Sequence, residues 1–435
     1  CAFYSTGVFG VTPGEAGWIR GVEDQMDDLP DPRGPFAPAY ELAEENELYR
    51  RKFSGMFPKD TLLYAPATAN LIRAFGGEWY DRWCGLTARR LRAWGINTLS
   101  MFSDPEFIRR SKMPYVIMLK GYPATRRMIY RDFPDVYAEE YEEGCRRFAA
   151  QLTAYRDDPL LIGYFVTNEP EWLMHDNVNL AERLLAADGC RASKQAFADH
   201  LKKRYGTVEA LNVAWETDLS SFDDLLSPLR RDSWSEAAQK DFEVFHNVLV
   251  ERYGRVISDA LRSEDPHHLN LGMRYSHASE KTLCGPLNYF DVFSFNCYGS
   301  EPATAAAQMA KGANLPMVVG EWHIGAKESG LDSWGLYHTG TQSQRAEALR
   351  YYLEQSTQEP HLTGVHYFEY SDQPYLGRFD GECYQIGLID VCNRPYPLAA
   401  EAFRRFAERM YPLLDGQEQP EARPVPLQNL WQTVN

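Results

Sequence analysis

The chain has 435 residues, of which 44% are hydrophobic and 24% charged, and its formal net charge is −16. These values are typical of a globular protein large enough to bury a substantial core. The negative charge argues against nucleic acid or an anionic membrane as partner, because phosphate binding requires clustered Lys and Arg. No apolar run of about 18 residues occurs, so no segment is expected to span a membrane.

Short apolar runs alternate with amphipathic helical patterns along the chain, which indicates a parallel sheet with crossover helices. Eight strands are predicted, the first within residues 3–11 and the others at residues 97–102, 115–119, 161–169, 269–275, 292–298, 317–321 and 364–370. Helices are predicted at residues 78–94, 136–155, 194–205, 208–215, 236–262 and 397–411. The alternation predicts an α/β fold, a (β/α)8 TIM barrel over residues 1–412.

Three long segments interrupt this alternation after predicted strands. A long loop at residues 12–61 follows strand 1, a helical insertion at residues 173–235 follows strand 4, and residues 371–390 follow strand 8. The loops that follow the carboxyl ends of the strands shape the site of a barrel, so we expect a pocket or short cleft. Insertions that fold outward would instead provide the interface of a homo-oligomer. Residues 413–435 are predicted to be an irregular tail.

Two apolar runs of strand character, residues 161–170 and 316–325, contain a glutamate at or near their carboxyl end. A fully buried strand appears as a continuous apolar run, and a barrel keeps its chemistry at the carboxyl ends of its strands. The two glutamates, Glu169 and Glu321, therefore indicate the carboxyl pair of a glycoside hydrolase.

The motifs around these glutamates resemble a known group of enzymes. Asn168-Glu169-Pro170 resembles the acid/base motif of the clan A glycoside hydrolases, and Gly320-Glu321-Trp322 is similar to the clan's nucleophile motif. Residues 364–374 and 377–387 are similar to the strand-8 region of family 50 β-agarases, and residues 210–218 resemble a stretch of family 42 β-galactosidases. The resemblance covers roughly residues 60–405 and implies a retaining enzyme on a (β/α)8 barrel.

The resemblance implies roles for individual residues. Glu169 is the expected general acid/base, Glu321 the nucleophile, Asn168 a ligand of the sugar 2-hydroxyl, and Tyr298 a hydrogen-bond donor to the nucleophile. Other candidates for substrate binding are aromatic or polar residues near predicted strand ends, namely Trp172, Arg274, Trp322, Trp334, Glu369, Asp372 and Arg378. The implied reaction is hydrolysis of a β-linked glycoside, a β-galactoside or an agar-like saccharide. His277, beside Arg274, is more readily explained by hydrogen bonding than by catalysis.

Other chemistries remain as alternatives. A transglycosylase would use the same carboxylates, and a catalytically silent carbohydrate-binding barrel would keep only the fold. A metal site could form if Asp104, His277, His323 and His366 converged, but no HxH or HExxH spacing supports it. No Gly-rich phosphate loop occurs, so we expect neither a cofactor nor a metal. The sequence begins at Cys1 without a methionine, so we expect that its start has been removed, and no compartment is assigned.

Overall fold

The computed structural model describes residues 3–21, 23–26, 28–46, 49, 58, 60–174, 178–276, 286–329 and 333–430. Its strands are β1 Ser5–Val8, β2 Gly17–Trp18, β3 Tyr40–Leu42, β4 Leu62–Tyr64, β5 Thr98–Leu99, β6 Tyr115–Met118, β7 Met128–Tyr130, β8 Phe133–Pro134, β9 Leu161–Phe165, β10 Thr167–Asn168, β11 Leu269–Asn270, β12 Met273–Tyr275, β13 Phe293–Asn296, β14 Met317–Trp322, β15 Gly325–Ala326, β16 Tyr337–Thr339, β17 Leu362–Tyr367 and β18 Gln428–Asn429. Its helices are α1 Pro66–Phe75, α2 Trp79–Ala93, α3 Pro105–Ser111, α4 Glu139–Ala149, α5 Leu180–Ala186, α6 Arg191–Tyr205, α7 Val208–Trp215, α8 Glu236–Glu264, α9 Pro302–Ala310, α10 Gln342–Ser356 and α11 Pro397–Leu414.

The chain forms two compact units, each assembled from separate stretches of sequence. The first unit contains Cys1–Val116, Cys297–Ala307 and Val318–Asn435, and the second contains Ile117–Asn296 and Gln308–Met317. Both units combine parallel strands with helices, which confirms the predicted α/β class. The closed (β/α)8 barrel stays a prediction. No helix in the described ranges has both the length and the apolar character needed to cross a bilayer.

The first unit is organised around parallel strands in the order β14, β17, β1 and β5. Val8 at the end of β1 is in register with Tyr367 of β17 and with Leu99 of β5. Because the strands are parallel, their carboxyl ends lie at one edge of the sheet. Glu321 lies near the end of β14 at this edge, and Glu369 follows the end of β17.

In the second unit, two interrupted strands run side by side. The β9 and β11 segments are parallel, as are β10 and β12, and β12 is also parallel to β13. Glu169 directly follows β10, and Asn296 is the last residue of β13. These two residues therefore reach the same sheet edge from neighbouring parts of the unit. The predicted helical insertion contains α6 and α7, close to the predicted helix positions, and also α5, which was not predicted.

The segment at residues 12–61 is more structured than the predicted loop. Its strands β2 and β3 pair with β4 in a small antiparallel sheet. Helix α1, which the sequence analysis did not identify, starts with Pro66 in its first turn, a favoured position for proline. Sheet and helix bury a common apolar cluster of Ile19, Ala39, Tyr64, Ala69 and Ile72. This burial explains why the segment is not an irregular loop.

The tail is also partly ordered. Helix α11 continues to Leu414, and β18 pairs with β16. The buried carboxylate of Glu354 accepts the backbone N–H groups of Glu421 at 2.6 Å and Ala422 at 2.9 Å. The prediction of an irregular tail is therefore corrected for the described part of this segment, because a buried charge holds its backbone in place.

Candidate active site

Glu169 is positioned by an unusual backbone conformation. Its φ angle is +43°, in the left-handed region that a residue with a side chain rarely adopts. Its backbone N–H donates to the Arg274 carbonyl at 2.9 Å, and its Oε1 accepts from Asn296 Nδ2 at 2.6 Å. Strained backbone of this kind costs on the order of 1–3 kcal/mol and clusters at functional sites. The turn therefore aims the carboxyl group at Asn296.

The chain leaving Glu169 is fixed by a second carboxylate. Asp132 accepts the backbone N–H of Glu171 at 2.8 Å and that of Trp172 at 2.9 Å. Trp172 is only 2% exposed, and its ring packs edge-on against Phe133 and Tyr253. The predicted role of Trp172 in lining the leaving-group side is corrected, because its ring is part of the core of the second unit.

Two further candidates flank Glu169. Asn168 is half-buried, and its Oδ1 has no hydrogen-bond partner among the described residues. An amide oxygen in this state can accept a hydroxyl donor, so its predicted contact with a sugar 2-hydroxyl stays a prediction. Arg274 is fully buried, with its guanidinium 5.7 Å from the centre of the Phe165 ring. Its predicted role in substrate binding also stays a prediction. His277 lies outside the described residues.

The predicted nucleophile has the hydrogen bond expected of it. Glu321 is 7% exposed, and the Tyr298 hydroxyl donates to its Oε2 at 2.7 Å. The Glu321 carbonyl accepts the Cys297 N–H at 2.9 Å, which ties the segment carrying Tyr298 to β14. The Tyr298–Glu321 hydrogen bond predicted from the resemblance is thus confirmed, and it fixes the direction of one carboxylate oxygen.

The ring of His323 packs against the ring of Tyr298. The two rings are 4.9 Å apart, and His323 Nε2 accepts the Leu336 N–H at 2.9 Å. This bond assigns the ring proton to Nδ1, and burial lowers the pKa of His323 to about 3, so the ring stays neutral. Gly335 permits this contact, because a Cβ there would lie 2.7 Å from His323 Nε2. His323 was considered only as a metal ligand in the sequence analysis.

A partly buried acidic cluster surrounds one guanidinium at the exit of β17. Arg378 lies 2.8 Å from Glu382, 3.0 Å from Asp380, 3.5 Å from Glu15 and 3.6 Å from Glu369. Its guanidinium also lies 5.1 Å from the centre of the Phe368 ring and 5.3 Å from that of Phe379. Arg378 was predicted to bind sugar hydroxyls. Since its contacts are already taken by carboxylates and rings, its role is corrected to holding this cluster together.

Glu369 is the most deeply buried acid of this cluster, at 1% exposed. Its Oε1 accepts from Gln373 Nε2 at 2.9 Å, whereas no described residue bonds to Oε2. Burial, with repulsion from Glu15, raises the pKa of Glu369 well above its usual range. Burial also raises the pKa of Glu382, and the nearby charges of Asp380 and Glu321 add to this shift. The predicted contact of Glu369 with sugar stays a prediction.

Two other predicted residues turn out to hold the fold together. Trp322 has no exposed surface, and its ring stacks on Tyr352 at 3.9 Å and packs edge-on against Tyr367. Asp372 accepts the Gly387 N–H at 2.8 Å and the Tyr396 hydroxyl at 2.6 Å, and burial raises its pKa to about 6. Both predicted roles in sugar binding are corrected. Trp334 is half-buried, with Lys327 Nζ 5.1 Å from its ring, and stays a candidate.

Three of the four residues of the alternative metal site have other partners in the structure, and the fourth, His277, lies outside the described residues. His366 lies between the hydroxyls of Ser5 and Ser100, His323 accepts from Leu336, and Asp104 caps helix α3. Among the residues that the structure describes, no group of three or more His, Cys, Asp or Glu side chains is arranged to hold a metal ion.

Asn296, Asp132 and Glu15 were missed by the sequence analysis, whereas Gln373 and Glu382 lie in the segments that are similar to family 50 β-agarases. Asn296 carried a usable signal, since it lies near the end of a predicted strand, where site residues of parallel sheets collect. Asp132 and Glu15 reach their partners through loops, and no local pattern marks such contacts.

Comparison with known proteins identifies the family of this chain. The profile of glycoside hydrolase family 42, described as beta-galactosidase, matches residues 108–339. This match covers more than half of the chain, which therefore belongs to that family of glycoside hydrolases.

Individual relatives extend the similarity over most of the chain. Beta-agarase B of Vibrio sp. (strain JT0107) is 29% identical over 393 residues, which cover 86% of this chain and 41% of the agarase. Beta-agarase A of the same organism is 28% identical over 439 residues, which cover 94% of this chain and 44% of that agarase. The crystal structure of an agarase, AgWH50C, superposes with a TM-score of 0.83 at 25% identity, covering 95% of this chain and 62% of the agarase. The chain thus spans less than half the length of these two curated relatives.

Proposed function

We propose that this protein hydrolyses β-linked glycosides with retention of configuration, with Glu321 as nucleophile and Glu169 as general acid/base. The observation that carries the proposal is the hydrogen bond from Tyr298 to Glu321, which orients a buried carboxylate at a strand end. The family match and the position of Glu169 after β10 support the same assignment.

The proposed reaction has two steps. Glu169 gives its proton to the leaving oxygen while a carboxylate oxygen of Glu321 bonds to the anomeric carbon and the glycosidic C–O bond breaks. Glu169, now ionised, then takes a proton from water, which attacks the same carbon and releases Glu321. Asn296, which donates to Glu169 Oε1, supports the ionised form that exists between the steps.

This mechanism requires the two carboxyl groups to be about 5–5.5 Å apart. We therefore also propose that the chain forms the predicted (β/α)8 barrel. The similarity to the agarase AgWH50C supports this proposal, because it extends over 95% of the chain.

The proposed substrates are neutral β-galactosides or agar-like saccharides. The names of the two agarases and of the family support this class. The chain's net charge of −16 and the acidic cluster around Arg378 would repel sulfated or uronate chains.

A time course on a long agarose oligosaccharide tests the proposal. The first-formed product should have the β configuration by NMR, because double displacement restores the anomeric centre. We expect a single small product from the start, as a pocket would give. An early mixture of product lengths would contradict the expected pocket and indicate an open cleft. Products longer than the substrate would indicate transglycosylation, and an α anomer formed first would exclude retention.

Replacing Tyr298 with Phe should lower kcat by roughly 10- to 100-fold with little change in KM. The lost hydrogen bond to a charged group is worth about 1.5–3 kcal/mol, and it orients the attacking oxygen. Steady-state kinetics on an aryl β-galactoside measure the effect. Tyr351→Phe is the matched control, because it removes a Tyr–Glu hydrogen bond at the surface, to Glu301. Equal kinetics in both variants would remove Tyr298 from the mechanism.

A further inference from the structure

Phe102 exposes its ring at the carboxyl end of β5, the sheet edge that also carries Glu321. The side chain is 44% exposed, and its backbone φ is +57°. An exposed aromatic loses the free energy that burial would provide. A left-handed conformation at a non-glycine residue costs on the order of 1–3 kcal/mol more and persists only where the surroundings impose it. Both features disfavour phenylalanine on structural grounds alone.

The surroundings impose this conformation from both sides of Phe102. The Met101 carbonyl accepts the Gly10 N–H at 3.0 Å, and the Asp104 N–H donates to the Val11 carbonyl at 2.9 Å. The Ser103 hydroxyl accepts the Val11 N–H at 3.2 Å and donates to the Ser100 carbonyl at 2.8 Å. The turn is thus bonded to the end of strand β1, and the ring is presented in a fixed position.

Phe102 is the outer member of a row of three rings. Its ring centre lies 5.3 Å from that of Phe9, and Phe9 lies 4.7 Å from Phe368. Phe368 directly precedes Glu369 and lies beneath the Arg378 guanidinium. Phe9 and Phe368 are buried, at 5% and 4% exposed. The row therefore leads from an exposed ring to the acidic cluster beside the nucleophile.

We propose that Phe102 is a stacking platform for a sugar ring of the substrate that is remote from the bond being cleaved. This inference rests on the proposed function. The order β14, β17, β1, β5 separates Phe102 from Glu321 by three strand spacings, about 14 Å along the sheet edge. One sugar ring does not span that distance, whereas an oligosaccharide does. The acidic cluster at the other end of this row favours a neutral chain, because carboxylates can accept hydrogen bonds from sugar hydroxyls.

The test compares long and short substrates. Phe102→Ala should lower kcat/KM on an agarose hexasaccharide by roughly 3- to 10-fold, the value of one aromatic contact, and leave kcat/KM on an aryl β-galactoside unchanged. Phe102→Trp should restore activity on the hexasaccharide. Phe3→Ala is the matched control, since Phe3 is also 40% exposed but precedes β1, at the opposite edge of the sheet. Thermal melting of each variant verifies folding.

The outcomes separate this inference from the proposed function. Unchanged hexasaccharide kinetics in Phe102→Ala, or equal losses on both substrates, would overturn the platform. A change of sedimentation mass with unchanged hexasaccharide kinetics would also overturn it and identify an interface between copies of the chain. If the unmodified protein cleaves neither substrate, the proposed function fails. In that case, calorimetry of hexasaccharide binding tests the stacking platform independently of activity. A lower affinity of Phe102→Ala would support the platform, and an affinity equal to that of the unmodified protein would overturn it.

Discussion

Glycine in place of Glu321 should lower kcat on every β-glycoside by at least about 10³-fold, because no group remains to form the covalent intermediate. Azide or formate at high concentration should restore turnover on an aryl β-galactoside with a good leaving group. The small anion would enter the space left by the side chain and attack the anomeric carbon from the same face. NMR of the rescued product should therefore show the α anomer, the inverse of the natural outcome.

The isosteric variant Glu321→Gln is the control for this rescue. It removes the charge but leaves no space for an anion, so it should be as inactive as Glu321→Gly and gain nothing from azide. In the glutamine variant Tyr298 can still donate to the amide oxygen, so its local contacts should be kept. Thermal melting verifies that both variants are folded. A β product from the rescued glycine variant, or full activity without azide, would assign the nucleophile elsewhere.

The sequence allowed the strand ends to be predicted better than the loops that follow them. Glu321 was found because it lies near the end of an apolar run, and Tyr298 was found through the resemblance to the clan A enzymes. Trp322 was misassigned although the alternation of side chains along a strand places it opposite Glu321. That opposite side packs against Tyr352 of helix α10, so the tryptophan belongs to the core.

The acidic cluster could not be predicted from sequence. Glu15 lies after strand β1 and Arg378 after β17, and only the parallel pairing of those strands brings the two side chains within 3.5 Å. Arg378 alone appeared to be a free cation suited to sugar hydroxyls. Its four acidic neighbours change that interpretation, because a guanidinium among carboxylates is already bonded. Contacts between distant loops depend on tertiary structure and leave no periodic signal in the sequence.

The same limit applies to Phe102 and to Glu169. The left-handed backbone at each residue is imposed by partners from other parts of the chain, the residues just after β1 for Phe102 and Arg274 of β12 for Glu169. Neither residue is a glycine, asparagine or aspartate, the types that usually mark such turns. Sequence reasoning nevertheless identified Glu169 through its motif, whereas Phe102 belongs to no motif and became apparent only in the structure.

Replacing Glu169 with Gln should have an effect that depends on the leaving group. Natural oligosaccharides release a poor leaving group that must be protonated, so kcat/KM should fall by about 10²- to 10⁴-fold. A dinitrophenyl β-galactoside releases a stable phenolate and should lose far less. Its pH profile should also lose the basic limb, because that limb reports ionisation of the acid. Glu171→Gln is the matched control, because Glu171 lies two residues after Glu169 and is exposed. This variant should leave kcat/KM unchanged on both substrates. Equal losses of Glu169→Gln on both substrates would show that Glu169 has a structural role and does not transfer the proton.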